Sequence, residues 1–126
     1  FLDNVYYQDK NSYLILNLVY AKNIKLNTVS KTNLPEQDHL FSKNELNKYG
    51  YSEEEINSIY NIRYTTSGNN KKKSNMPFNE WIKDLKNKDE RLFNLIPNGN
   101  WNSDNYKDFI KQRKLLILEK LKNIFK

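Results

Sequence analysis

The chain has 126 residues, a length that fits one compact domain, or a piece of a larger protein, and excludes a two-domain enzyme. Hydrophobic residues make up 37 % and charged residues 29 %, with 13 % aromatic and no cysteine; disulfides, thiolate metal sites and a cysteine nucleophile are excluded, which is compatible with a cytoplasmic setting. Lys and Arg outnumber Asp and Glu by 21 to 15, for a formal charge of +6, and this excess attracts polyanions and makes nucleic acid a candidate partner.

The opening Phe1-Leu2-Asp3-Asn4-Val5 has neither an initiator Met nor a signal-peptide pattern and reads as part of an internal or C-terminal fragment. No apolar run approaches the roughly 20 residues that a membrane span needs, so no membrane partner is expected. Tyr13 to Tyr20 is nearly continuous in apolar residues. Periodicity does not separate buried helix from strand in such a run, but Ser12 is a candidate N-cap and a helix is the preferred reading. Pro35 removes a backbone donor and favours an extended residue before it, so Glu36 to Phe41 enters as a short strand or its end, buried through Leu40 or Phe41.

Ser42-x-x-Glu45 and Ser52-x-x-Glu55 both have the form of a capping box, which predicts two short helices with Gly50 as the stop between them. Asn61 to Thr66 is β-branched and aromatic with alternation and is bounded by Ser67-Gly68-Asn69, making it the strongest strand signal in the chain. The basic run Asn70 to Lys73 follows. Pro77 then opens a helix that places Phe78, Trp81, Ile82 and Leu85 on one face. Leu92, Phe93, Leu95 and Ile96 form a short apolar segment stopped by Pro97 and an Asn98-Gly99 turn. Behind a Ser103-x-x-Tyr106 start, Tyr106, Phe109, Ile110, Arg113, Leu116, Ile117, Leu121 and Ile124 recur at helical spacing, with Lys107, Lys111, Lys114 and Lys122 on the other face. Without internal repeats or a low-complexity linker, residues 1–126 read as a single domain.

The only histidine, His39, directly follows Asp38. Strand alternation sends neighbours to opposite faces, but at a strand end both can turn toward one site. The pair then joins a hard oxygen ligand for a divalent cation to an imidazole that can take a proton from water.

In order along the chain stand Asp38-His39-Leu40-Phe41, then Asn61-Ile62-Arg63-Tyr64, then Asn70-x-x-Lys73-Ser74-Asn75. These blocks resemble the Asp-His-Ile-x-Pro, Asn-Leu-x-Leu and Asn-x-x-Lys-Ser-Asn blocks of the HNH nucleases, whose core is the ββα-metal (His-Me finger) fold. The target-strand-cutting HNH domain of CRISPR RNA-guided nucleases has a similar pattern. Pro77-Phe78-x-Glu80-Trp81-Ile82 and Tyr106-x-x-Phe109-Ile110-x-x-Arg113-x-x-x-Ile117 are most similar to the tail of the C-terminal HNH domain of GmrSD-type modification-dependent restriction enzymes, and the likeness covers most of the chain from Glu36 onward.

The resemblance implies an α+β fold. A ββα-metal core with a two-stranded hairpin would span residues 35–76, between an N-terminal helical flank at 1–34 and a helical C-terminal flank at 77–126 that ends in a long helix. It implies a metal-dependent DNA endonuclease, the cutting module of a prokaryotic restriction or phage-defence protein with an upstream NTPase-like domain. His39 would be the general base, and Asp38 and Asn70 would hold one Mg²⁺ or Mn²⁺; Asn70 keeps the x-x-Lys spacing, with Asn69 as the neighbouring alternative. Asn61 would orient the His39 loop through side-chain-to-backbone hydrogen bonds, and Lys71, Lys72 and Lys73 would lie near the DNA phosphates.

Each residue also has a plain structural reading: His39 as a structural histidine, Asn61 as a turn residue leading into a strand, Asn70 as a turn or N-cap, and the lysines as a solvated run. Two other functions therefore stand beside the nuclease. One is a non-catalytic nucleic-acid-binding module with a degenerate HNH fold, using Lys71 to Lys73 and the lysine face of the last helix. The other is an interaction piece that docks through the Phe109 to Ile124 stripe.

Overall fold

A computed structural model describes residues 1–20, 36–65, 76–83, 91 and 94–124. They form a mixed α+β fold around a two-stranded antiparallel sheet, β1 (Glu36–His39) with β2 (Ile62–Thr65). The register pairs Glu36 with Thr65, Gln37 with Tyr64, Asp38 with Arg63 and His39 with Ile62. The helices are α1 (Lys10–Tyr20), α2 (Lys43–Lys48), α3 (Glu53–Ile56), α4 (Phe78–Lys83) and α5 (Tyr106–Ile124), with short 3-10 turns at Leu2–Asn4, Ile59–Asn61 and Ser103–Asn105. Among the described residues no helix is long and apolar enough to cross a membrane.

The apolar run that periodicity leaves open is helical, but α1 starts at Lys10, so Ser12 lies in its first turn and is not its cap. The Ser12 hydroxyl donates to the Asp9 carbonyl at 2.6 Å and accepts from the Gln37 side chain at 2.9 Å, tying α1 to β1. Ser52 and Glu55 form the expected reciprocal capping box of α3. The Ser42 box is only half made: the Ser42 hydroxyl accepts from the Glu45 amide, while the Glu45 carboxylate accepts from the Phe78 amide at 3.2 Å. Glu45 thus satisfies an orphan donor at the start of α4. Gly50, at φ +90° behind the C-cap Tyr49, stops α2 in a conformation that favours glycine.

β1 and β2 do not show the alternation of a half-exposed sheet, because every residue from Gln37 to Thr65 within the two strands is buried. Each face has its own apolar cluster. One gathers Leu2 and Val5, the α1 residues Ile15, Leu16, Val19 and Tyr20, then Ile59, Tyr60, Ile62 and Tyr64, and Ile117 of α5. The other centres on Phe41, stacked on Phe78 at 4.4 Å and edge-on to Phe109 and Tyr106 at 4.9 and 5.1 Å, with Leu40, Leu46, Ile56, Trp81 and Ile96 around it. α5 serves both clusters with one stripe, Tyr106, Phe109, Arg113 and Ile117. The buried part of the stripe ends at Ile117; beyond it Leu121 and Ile124 are half-buried, and Leu115 and Leu118 beside it are exposed. Leu116, grouped with Ile117 by spacing, is only half-buried.

Arg113 is fully buried. Its guanidinium donates to the carbonyls of Tyr60 and Ile62 at 2.9 and 2.7 Å, with longer bonds to Ile59 and Asn94. A charged side chain on an apolar stripe is accommodated here because its donors are spent on backbone carbonyls, the two shortest bonds going to Tyr60 in the 3-10 turn and Ile62 at the start of β2. Arg113 therefore pins α5 to the turn that leads into β2.

Candidate functional site

The end of β1 and the start of β2 are joined by more than the ladder. The Leu40 amide donates to the Asn61 carbonyl at 2.7 Å, one step past the last strand pair. Asn61, with no exposed surface, accepts from the Phe41 amide at 2.9 Å through Oδ1 and donates from Nδ2 to the carbonyls of Phe41 and Ile56 at 3.1 and 3.0 Å. Its amide group is thus spent on the backbone that follows His39 and on the end of α3. This is a buried, fully hydrogen-bonded device that fixes the path of residues 40 and 41.

His39 is the last residue of β1 and is 8 % exposed. Its Nε2 lies 2.8 Å from Oδ1 of Asn57, just beyond α3. The Tyr7 ring sits 4.4 Å from the imidazole, tilted by 45°. Asp38, its neighbour, accepts from Nε of its cross-strand partner Arg63 at 2.9 Å. The Arg63 guanidinium in turn lies 4.6 Å from the centre of the Trp81 ring, so the ion pair is enclosed between the sheet and α4. The side chains of Asp38 and His39 therefore take different partners, as alternation dictates, although the ladder runs unbroken through both. Tyr7 nevertheless senses both: its ring packs on His39, and its phenol is pushed up from the ordinary value by burial first and then by the charge of Asp38.

Asn70 and Lys71 to Lys73, with the alternative Asn69, lie outside the described residues. Of the expected metal-holding pair only Asp38 is described, and its carboxylate oxygens are of the hard type that suits Mg²⁺ or Mn²⁺. Among the described residues no group of three or more His, Cys, Asp or Glu could hold a metal ion. On the lysine face of α5, Lys114 is 2.9 Å from Asp3 and Lys107 is 3.6 Å from Glu55.

Three neighbours of the site were not singled out from the sequence. Arg63 carries a signal in hindsight, since aligning the two strands puts a cation directly across from Asp38. Asn57 directly follows a capped helical turn. Tyr7 has no local signal; it arrives because residues 5–7 run antiparallel to 57–59, with the Ile59 amide donating to Val5 and the Tyr7 amide to Asn57. No protein-family model matches the sequence, and no curated protein or solved structure matches it significantly.

Proposed function

We propose that the chain is an HNH-type, metal-dependent DNA endonuclease domain with a ββα-metal core, acting as the cutting module of a cytoplasmic prokaryotic restriction or phage-defence protein that carries an upstream NTPase-like domain. The reading starts from the ordered resemblance of the Asp38-His39, Asn61 and Asn70 blocks. The observation that carries it is the Asn61 clasp: an asparagine ahead of β2 whose side chain is committed to the backbone immediately after His39. A turn residue used only to enter a strand has no need of three buried side-chain bonds, two to the connection after β1 and one to the end of α3.

In this reading His39 takes the proton of the water that attacks the scissile phosphorus, while the bond to the leaving oxygen breaks. Asp38 and Asn70 would hold a divalent cation, which when bound neutralises charge on the phosphate. Asn61 holds the His39 loop. Lys71, Lys72 and Lys73 attract the DNA backbone through charge. The test is cleavage of supercoiled plasmid with Mg²⁺ or Mn²⁺: His39→Ala should lose about 10²–10⁴-fold in rate, the usual contribution of a general base. Equal cleavage by the two proteins would refute the assignment.

One observation favours a second reading. The Asp38 carboxylate is already engaged by the buried Arg63 guanidinium, as suits a degenerate fold that binds DNA without cutting it. That module would bind DNA with an affinity that falls steeply as salt rises and would leave plasmid intact in either metal.

A further inference from the structure

We infer that Asn57 and Tyr7 form a clamp that positions His39, Asn57 by fixing which ring nitrogen carries the proton and Tyr7 by holding the ring against it. The chemistry of the inference rests on the hydrolytic role proposed for His39. Neither residue belongs to the blocks that carry the resemblance.

An amide oxygen can only accept a hydrogen bond. Oδ1 of Asn57, 2.8 Å from Nε2, therefore selects the neutral tautomer with its proton on Nε2 and its lone pair on Nδ1. The opposite tautomer would set two lone pairs against each other at that distance.

Asn57 is itself held on both sides. Its backbone amide donates to the Glu53 carbonyl at 2.9 Å, as the continuation of the Ser52–Glu55 capped turn, and its carbonyl accepts from the Tyr7 amide at 2.8 Å. That second bond makes the N-terminal strap and the end of α3 one unit. The Tyr7 ring packs on the imidazole at 4.4 Å, tilted by 45°, and this contact would be lost if the ring turned away from Asn57. The strap is secured beyond Tyr7 as well, since the Gln8 amide donates to the Gln37 side chain at 2.8 Å and Gln37 donates to Ser12 at 2.9 Å. His39 is thus held at Nε2 and on one ring face from two segments far apart in sequence.

Because His39 is the only histidine, long-range ¹⁵N–¹H correlation spectra of the metal-free chain, recorded where the ring is neutral, read its tautomer without ambiguity. The wild type should show the Nε2–H form. Asn57→Ala should give a mixture of tautomers and a cleavage rate lower by about 10–100-fold, the usual loss when a group that orients a histidine is removed. Asn57→Asp, which keeps an acceptor oxygen in place, should restore the tautomer and most of the rate. Tyr7→Phe should keep the tautomer, and Tyr7→Ala should mix it. An Nδ1–H ring in the wild type, or an unchanged tautomer and rate in Asn57→Ala, overturns the clamp alone. If the tautomers follow the expected pattern but His39→Ala cleaves as fast as wild type, the nuclease reading falls and the catalytic role of the clamp falls with it.

Discussion

Replacing Asn61 tests how far the site depends on one amide. Asn61→Ala removes an acceptor from the Phe41 amide and a donor from the carbonyls of Phe41 and Ile56, in a place with no exposed surface. A buried group left unsatisfied costs about 1–3 kcal/mol, and carbonyls with a second lone pair fall at the low end, so the loss should be about 3–5 kcal/mol. That is a large share of the roughly 5–15 kcal/mol that holds a domain together. Asn61→Asp is nearly isosteric and should be no better at neutral pH, because a carboxylate oxygen would then face the two carbonyls that Nδ2 now serves at 3.1 and 3.0 Å. Its carboxyl would titrate above its unfolded value of about 3.9. The extra penalty is therefore absent below that value and grows as pH rises through the folded-state value. Urea unfolding followed by tryptophan fluorescence, repeated across acidic pH, reads both effects. An Asn61→Ala variant within about 0.5 kcal/mol of wild type, the range of ordinary surface changes, would refute the clasp, as would an Asn61→Asp variant whose deficit does not narrow in acid.

Asp38→Ala should destabilise the metal-free protein by about 3–5 kcal/mol, because it strands the buried Arg63 guanidinium; thermal unfolding without metal checks this, and no loss would mean that the pair is not formed. Ile117→Ala should cost about 2–4 kcal/mol and Leu116→Ala clearly less, since Ile117 has no exposed surface and Leu116 is half-buried; equal losses in denaturant would refute the packing of α5. Burial raises the phenols of Tyr20, Tyr60, Tyr64 and Tyr106 from 10.0, Tyr64 to about 12. Above pH 10 the unfolded chain loses these protons first, so stability should be complete below pH 10 and decline toward pH 12. A melting temperature that stays level over that window would contradict the burial of these rings.

The parts that were legible in the sequence are those whose causes are local. The Ser52–Glu55 box, the Gly50 stop and the α5 stripe each depend on residues within a few positions of one another, and each is found where the pattern puts it. What was missed depends on partners far along the chain. Ser12 looks like a cap in its own neighbourhood, but its hydroxyl answers Gln37. Glu45 has the form of a reciprocal box, but its carboxylate answers the Phe78 amide. Arg113 falls on the helical stripe by spacing, but why a cation stands there shows only in its bonds to the carbonyls of Tyr60 and Ile62. At the candidate site the same division holds. The Asp38-His39 doublet and Asn61 stand out by residue type and order, whereas Arg63, Asn57 and Tyr7 acquire meaning only through strand register and the path of the N-terminal strap.

That division bears on what the site needs in order to exist. Two strands of four residues each are marginal as an isolated sheet in water, and here both faces are covered by material from outside residues 35–76. Ile62 and Tyr64 enter the cluster built with α1 and Ile117, while Phe41 enters the one built with Phe78, Tyr106 and Phe109. Removing the N-terminal flank would open the first cluster to water, and removing the C-terminal flank would open the second and take Ile117 from the first. Their loss would also release the groups that fix the strand ends: Tyr7 and its bond to Asn57 on one side, Arg113 and its carbonyls on the other. The geometry around His39 is therefore a property of the flanks as much as of the strands that carry it.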